Sequence, residues 1–185
     1  MKFKIEKMTP KQIERIKTKI NKIKKALAAD KKHWGGHYHD GRGLRYLPPE
    51  QYLKIQDYTG ALRYFNWFSK NFPDDACYPV FLLEWTITLF MTKRKKQAEQ
   101  KLIQTFKSNT YIIDKFLNKD FKHLDKTETS NWEFESLVEG LPYSNTQEEL
   151  LDFTNWLEKF IVSDQFLIPT NKFLELQILL KKQTD

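Results

Sequence analysis

The sequence predicts an all-α chain: stacked antiparallel helical hairpins behind a basic amphipathic N-terminal helix. Three observations predict it. Glycine and proline are sparse, six and seven in 185 residues, fewer than a turn-rich β-fold uses. Apolar residues recur at intervals of three and four, the period of one helix face. No segment alternates apolar and polar residues with the period of a strand. Hydrophobic residues make up 40% of the chain and aromatic residues 15%, enough for a real core in one domain. A single helical domain over 1–185 is therefore expected. It comprises a basic helix (1–28), a Gly/His-rich loop (29–49), repeat-like helices (50–118) and C-terminal helices (119–185).

The first helix opens at Thr9-Pro10-Lys11-Gln12. Thr9 is a capping residue, Pro10 suits the first helical position, and Gln12 is placed to reach back and complete a capping box. Ile13, Ile16, Ile20, Ile23 and Leu27 follow at spacings of 3, 4, 3 and 4. They form a narrow stripe on a helix of about 18 residues, which is expected to pack on the rest of the chain. The remainder of this helix is mostly lysine. Residues 1–27 hold ten Lys/Arg and two Glu, a net +8, while residues 28–185 hold 21 and 22, a net −1. The overall charge of +7 thus belongs to one segment.

A break follows. Gly35, Gly36, Gly41 and Gly43 are four of the six glycines, so an irregular loop is expected. Pro48-Pro49 ends it, at a position where a helix tolerates proline. Within the loop, HWGGHYHDGR (33–42) gathers three histidines, two aromatics, an aspartate and an arginine.

From Glu50 onward the helical period returns. Tyr52 and Ile55 mark a short apolar face. A turn near Gln56-Asp57 leads to the stripe Tyr58, Ala61/Leu62, Phe65, Phe68 and Phe72, closed by Pro73. Residues 79–92 read as a buried helix. The basic run 93–96 leads into a helix over about 96–107, and Ser108 or Asn109 is placed to cap one more. These residues resemble the tetratricopeptide repeat (TPR) family. Asp57-Tyr58 at the turn, Ala61 as the small packing residue, Phe65 four later and Pro73 at the exit match a second helix and exit turn. Leu82, Trp85, Thr86 and Leu89 fit the next first-helix positions, and Ala98 and Leu102 the next second helix. The alanines are 37 residues apart, against 34 in the family. The resemblance covers about 50–117 and implies stacked helical hairpins, not a particular ligand. The helices over 58–72, 79–92 and 96–107 are expected to pack as consecutive antiparallel neighbours.

In the last third, Ser130 to Glu133 reads as a capping box with Gly140 as its stop, and Thr146 to Glu149 as a second box. The second opens a helix with Leu150, Phe153, Trp156/Leu157 and Phe160/Ile161. A final helix after Pro169 carries Phe173, Leu174, Leu176 and Leu179/Leu180. These two are expected to cover the open end of the stack, because a repeat buries its apolar face only against neighbours.

Function is weighed across three classes. The first is a non-catalytic TPR-like scaffold binding a protein or peptide. Its candidate contact residues are Trp34, His37, Tyr38, His39, Arg42 and Arg45, the aromatics packing and the arginines facing carboxylates; a purely structural loop is the alternative there. The second class is association with nucleic acid through residues 2–25, with Lys17, Lys22, Lys24 and Lys25 neutralising phosphate. That helix lacks interleaved aromatics or a recognised nucleic-acid motif. The third is a metal-dependent hydrolase using His33, His37, His39 and Asp40. HYHD holds the His-Asp pair of the helical HD-type metallophosphohydrolases, but Gly41 and Gly43 follow at once. A metal-free loop is expected. No GxSxG, Walker loop or GxGxxG occurs, so neither catalytic residues nor a cofactor are assigned. Cys77 is the single cysteine, so no disulfide within the chain forms. The N-terminus has no apolar core of a secretory signal, and Val80–Met91 contains Glu84 and is too short for a bilayer. A cytoplasmic protein is expected.

Overall fold

The computed structural model describes residues 8–120 and 123–184, the side chain of Thr184 excepted. All regular structure among them is helical. The chain divides into two compact units, Met1–Asp75 and Ala76–Asp185, and the division falls within the repeat-like segment.

In the first unit α1 spans Pro10–His33, α2 Pro48–Lys54 and α3 Tyr58–Asn71. The predicted capping box opens α1. Thr9 Oγ1 accepts from the Gln12 backbone N–H at 3.3 Å, and Gln12 Oε1 accepts from the Thr9 N–H at 2.7 Å. Ile20, Ile23 and Leu27 are buried, and α1 packs on α2. The helix runs five residues beyond the expected end at 28. Ala28-Ala29 are the best helix formers, and no breaker occurs before Gly35. The loop is correspondingly shorter, and His33 is a helical residue. α2 begins at the two prolines as expected. Asp57 caps α3 by accepting from the Gly60 N–H at 2.8 Å. A Cβ on Gly60 would lie 2.2 Å from Asp57 Oδ2, so any side chain there would push the capping carboxylate aside. Ala61, Phe65 and Phe68 are fully buried.

The second unit holds α4 (Pro79–Met91), α5 (Lys95–Ser108), α6 (Ile112–Phe116), α7 (Leu151–Phe160) and α8 (Asp164–Thr184). α4 and α5 form a closely packed helical pair. Leu82, Thr86 and Leu89 on one helix and Ala98, Leu102 and Thr105 on the other are buried. The hydroxyls of Thr86 and Thr105 meet across the pair at 3.2 Å. α7 packs on α4, where Trp156 stacks between Phe90 (4.9 Å) and Phe160 (5.5 Å).

Four helices stop in the same way. After α1, α2, α4 and α6 a residue takes the left-handed conformation: Gly35, Gln56, Lys93 and Asn118. The next N–H returns to a carbonyl five residues back: Gly36 to Lys31 (2.8 Å), Asp57 to Tyr52 (2.9 Å), Arg94 to Leu89 (2.8 Å) and Lys119 to Asp114 (2.9 Å). This bond is the signature of a Schellman stop.

Three expectations about the last third are corrected. Ser130–Glu133 opens no α-helix; two 3-10 turns, Asn131–Glu133 and Glu135–Val138, occupy the segment. The buried Asn109 side chain donates to the carbonyls of Trp132 (2.8 Å) and Phe134 (3.0 Å), taking acceptors that an α-helix needs. Thr146 does not cap α7. Its hydroxyl pairs with that of Ser144 at 2.8 Å, and α7 starts at Leu151 with no side-chain cap. Finally, α8 begins before Pro169 and passes through it. A proline in the second turn removes the bond its own N–H would make to the Gln165 carbonyl and crowds that carbonyl with its ring, a local cost that the rest of the helix outweighs. Phe166 and Thr170 are the buried residues of α8, while Leu176, Leu179 and Leu180 are about half exposed.

Candidate functional site

The 33–46 segment is a corner built on carboxylates. α1 ends because Gly35 turns left-handed (φ 64°), and Gly36 follows at φ 99°. The chain then doubles back over the end of α1. There Asp30 Oδ2 accepts the backbone N–H groups of His39 (2.9 Å) and Asp40 (3.1 Å). Asp40 is itself buried. Its Oδ1 accepts from Leu44 N–H at 2.8 Å, and its Oδ2 from Arg45 N–H at 3.0 Å. These two bonds cap a 3-10 turn over Leu44–Tyr46. Loop amides that would otherwise go unpaired are satisfied by side chains instead of secondary structure.

Arg45 extends this frame. Its Nη1 reaches Asp40 Oδ2 at 3.0 Å and its Nε reaches Asp75 Oδ2 at 2.8 Å. Its Nη2 donates to Tyr46 Oη at 3.2 Å, and Tyr46 donates to Asp75 Oδ1 at 2.6 Å. The guanidinium lies over the rings of Tyr46 and Phe72, 4.5 and 5.2 Å from their centroids. Burial alone works against its charge, but the hydrogen bonds to Asp75 and Asp40 outweigh it and raise its pKa. Burial, then Asp75, pushes the Tyr46 phenol up as well. Tyr64 donates to the Arg45 carbonyl at 2.7 Å. Tyr38 is the second anchor. Its ring meets Phe72 at 4.9 Å and Trp67 at 5.7 Å, and Lys31 Nζ sits 4.9 Å from its centroid.

The six candidate contact residues therefore separate. Tyr38 and Arg45 point into the unit and hold the corner, Arg45 facing internal carboxylates. Trp34, His37, His39 and Arg42 are exposed. Trp34 is 50% exposed, with His39 tilted against it at 4.9 Å and His33 edge-on at 5.1 Å. Among the described residues no three His, Cys, Asp or Glu side chains are grouped to hold a metal ion. Asp40, the one carboxylate in the His-rich run, has both oxygens committed to the backbone. Asp30 and Asp75 are the residues that sequence reasoning missed. Asp30 lies nine residues before the first amide it captures, and Asp75 lies beyond α3, so no local spacing marks either.

On α1, Lys17, Lys22, Lys24 and Lys25 are all exposed. They do not share one face: Lys17 and Lys24 project roughly 80–160° away from Lys22 and Lys25 around the helix. The side of α1 opposite its apolar stripe presents Lys11, Arg15, Lys19 and Lys22, with Glu14 and Thr18, around a shallow depression. Residues 2–7 of the basic segment lie outside the described residues.

Comparison with protein-family models, curated proteins and solved structures finds no match. No helix among the described residues is long and apolar enough to cross a membrane.

Proposed function

We propose that the chain is a non-catalytic, cytoplasmic, TPR-like helical scaffold that binds a protein or peptide partner. Trp34, His37, His39 and Arg42 make the contact, and Tyr38 and Arg45 hold them in position. The observation that carries this reading is a half-exposed tryptophan on a corner whose backbone is fixed by carboxylates. Tryptophan and arginine are enriched where interfaces concentrate their binding energy. A surface already ordered before binding also avoids the entropy cost of ordering. Arg42 is exposed and makes no ion pair with the described residues, which suits a partner carrying carboxylates. The repeat-like part of the reading is supported by the buried Ala61 and Phe65 and by the α4–α5 pair with Ala98 and Leu102 at its contact.

The test is a screen of acidic peptides by fluorescence anisotropy. Trp34→Ala is expected to weaken the best binder by ~30-fold, the loss typical of an interfacial tryptophan, with the melting temperature unchanged. A peptide bound equally well by both proteins would remove the corner from the interface.

One observation favours a second reading, association with nucleic acid: the basic side of α1 around Lys11, Arg15, Lys19 and Lys22. Binding of that kind falls steeply with salt. Changing Lys11, Arg15, Lys19 and Lys22 to Glu is expected to abolish it and leave the fold intact, whereas the same change at Lys17, Lys24 and Lys25 is expected to weaken it less. No binding to single- or double-stranded probes at low salt would remove this reading.

A further inference from the structure

α8 has two faces that bury differently. Phe166 and Thr170 are turned inward, and α8 packs on α5. Part of its flank is covered by the chain itself, where Thr127 N–H donates to the Gln177 carbonyl at 3.2 Å and Lys181 pairs with Asp125. The opposite side carries Asp164, Ile168, Lys172, Glu175, Leu179 and Lys182, all exposed. Their spacings of 4, 4, 3, 4 and 3 place them in one stripe about 80° wide. Ile168 is 67% exposed and Leu179 55%, values far above those of the residues α8 buries. None of the four charged members has an ion-pair partner among the described residues.

The order of these residues is what matters. Read from either end, the stripe runs charge, apolar, charge, charge, apolar, charge, and each residue has the complement of its mirror position. An antiparallel copy of the same stripe, related by a two-fold axis near residue 173, sets Ile168 against Leu179. It also sets Lys172 against Glu175 and Asp164 against Lys182. Each pair occurs twice across the axis, as an isologous contact requires. A parallel copy would instead set Lys172 against Lys172 and Glu175 against Glu175, which repel. We infer that the outer stripe of α8 is a self-association surface, where a second copy of this chain docks its own α8 antiparallel. Leu176, 51% exposed, lies beside the stripe and widens the apolar part of the contact. A contact of two helices is smaller than a standard interface of ~1,600 Å², so the association is weak and depends on concentration. This surface does not involve the Trp34 corner, and it stands whichever partner that corner takes.

The experiment is sedimentation equilibrium of the full chain at low ionic strength, from about 10 to about 500 µM. The apparent mass is expected to rise from 22.3 kDa toward twice that value. K172E and E175K each create two like-charge pairs across the axis, and each is expected to weaken association at least 10-fold. The double variant K172E/E175K restores opposite charges and is expected to dimerise again. An equimolar mixture of the two single variants is expected to form a mixed pair, because their charges complement each other. Trp34→Ala is expected to dimerise as the natural sequence does, which separates this surface from the partner-binding corner. All these positions are exposed, and thermal melts of each variant confirm that the fold is retained. A chain that stays at monomer mass over the whole range overturns the inference. So do single variants that associate normally, or a double variant that fails to recover.

Discussion

Arg45→Ala is expected to lower the stability of the chain by about 3–5 kcal/mol, the cost typical of removing one partner of a buried ion pair. Asp40 and Asp75 keep only 2% and 10% of their side-chain surface exposed. Without the guanidinium both carboxylates lose their charged donor while still shielded from water. The Tyr46 and Phe72 rings also lose the cation above them. Arg45→Lys keeps a charge but not the fork that serves Asp40 and Asp75 together, and is expected to recover less than half of the loss. Equilibrium unfolding in urea measures both. A loss under about 1 kcal/mol would mean that the network behaves as an exposed surface pair.

The second large effect is expected at Phe153, which is fully buried among Phe90 (5.6 Å), Phe116 (5.4 Å) and Trp156 (5.4 Å). This ring ties α7 to α4 and α6. Phe153→Ala is expected to cost about 3–5 kcal/mol, because the transfer energy of the ring is lost and the rigid aromatic neighbours cannot close the cavity. Phe153→Leu, which keeps more of the volume, is expected to cost much less. Near-ultraviolet circular dichroism should lose intensity for the alanine variant before helix content falls. A near-neutral Phe153→Ala would show that the aromatic cluster repacks.

The elements that were legible in the sequence are those whose signals are local. α3, α4 and α5 end within a residue or so of the positions read from apolar spacing and proline, since a helix face and its punctuation lie within one stretch. The Thr9–Gln12 box was legible for the same reason. What escaped was decided by partners far along the chain. Asn109 takes the carbonyls of Trp132 and Phe134, so a local capping pattern at Ser130 is overridden by tertiary hydrogen bonds. Gln56 and Lys93 stop their helices in a conformation that glycine usually occupies, whereas at Gly35 and Asn118 the residue type suits the stop. At the corner, the exposed residues and the anchors Tyr38 and Arg45 were all picked out by composition. Their division into display and support was not, because it depends on Asp30, nine residues before the first amide it holds, and on Asp75, thirty residues after Arg45.

That division has a consequence for how freely the corner can change. The path of its backbone is set by Asp30, Asp40, Gly35 and Arg45, through bonds that go mostly to main-chain amides and carbonyls. An amide does not register which side chain its residue carries. The side chains at positions 34, 37, 39 and 42 take no part in these bonds, so they can change without moving the loop. A library randomised at these four positions keeps one loop shape while sampling many surfaces. If the corner is the contact surface proposed above, the small unit around α1, α2 and α3 acquires a new specificity in this way without first having to find a new fold.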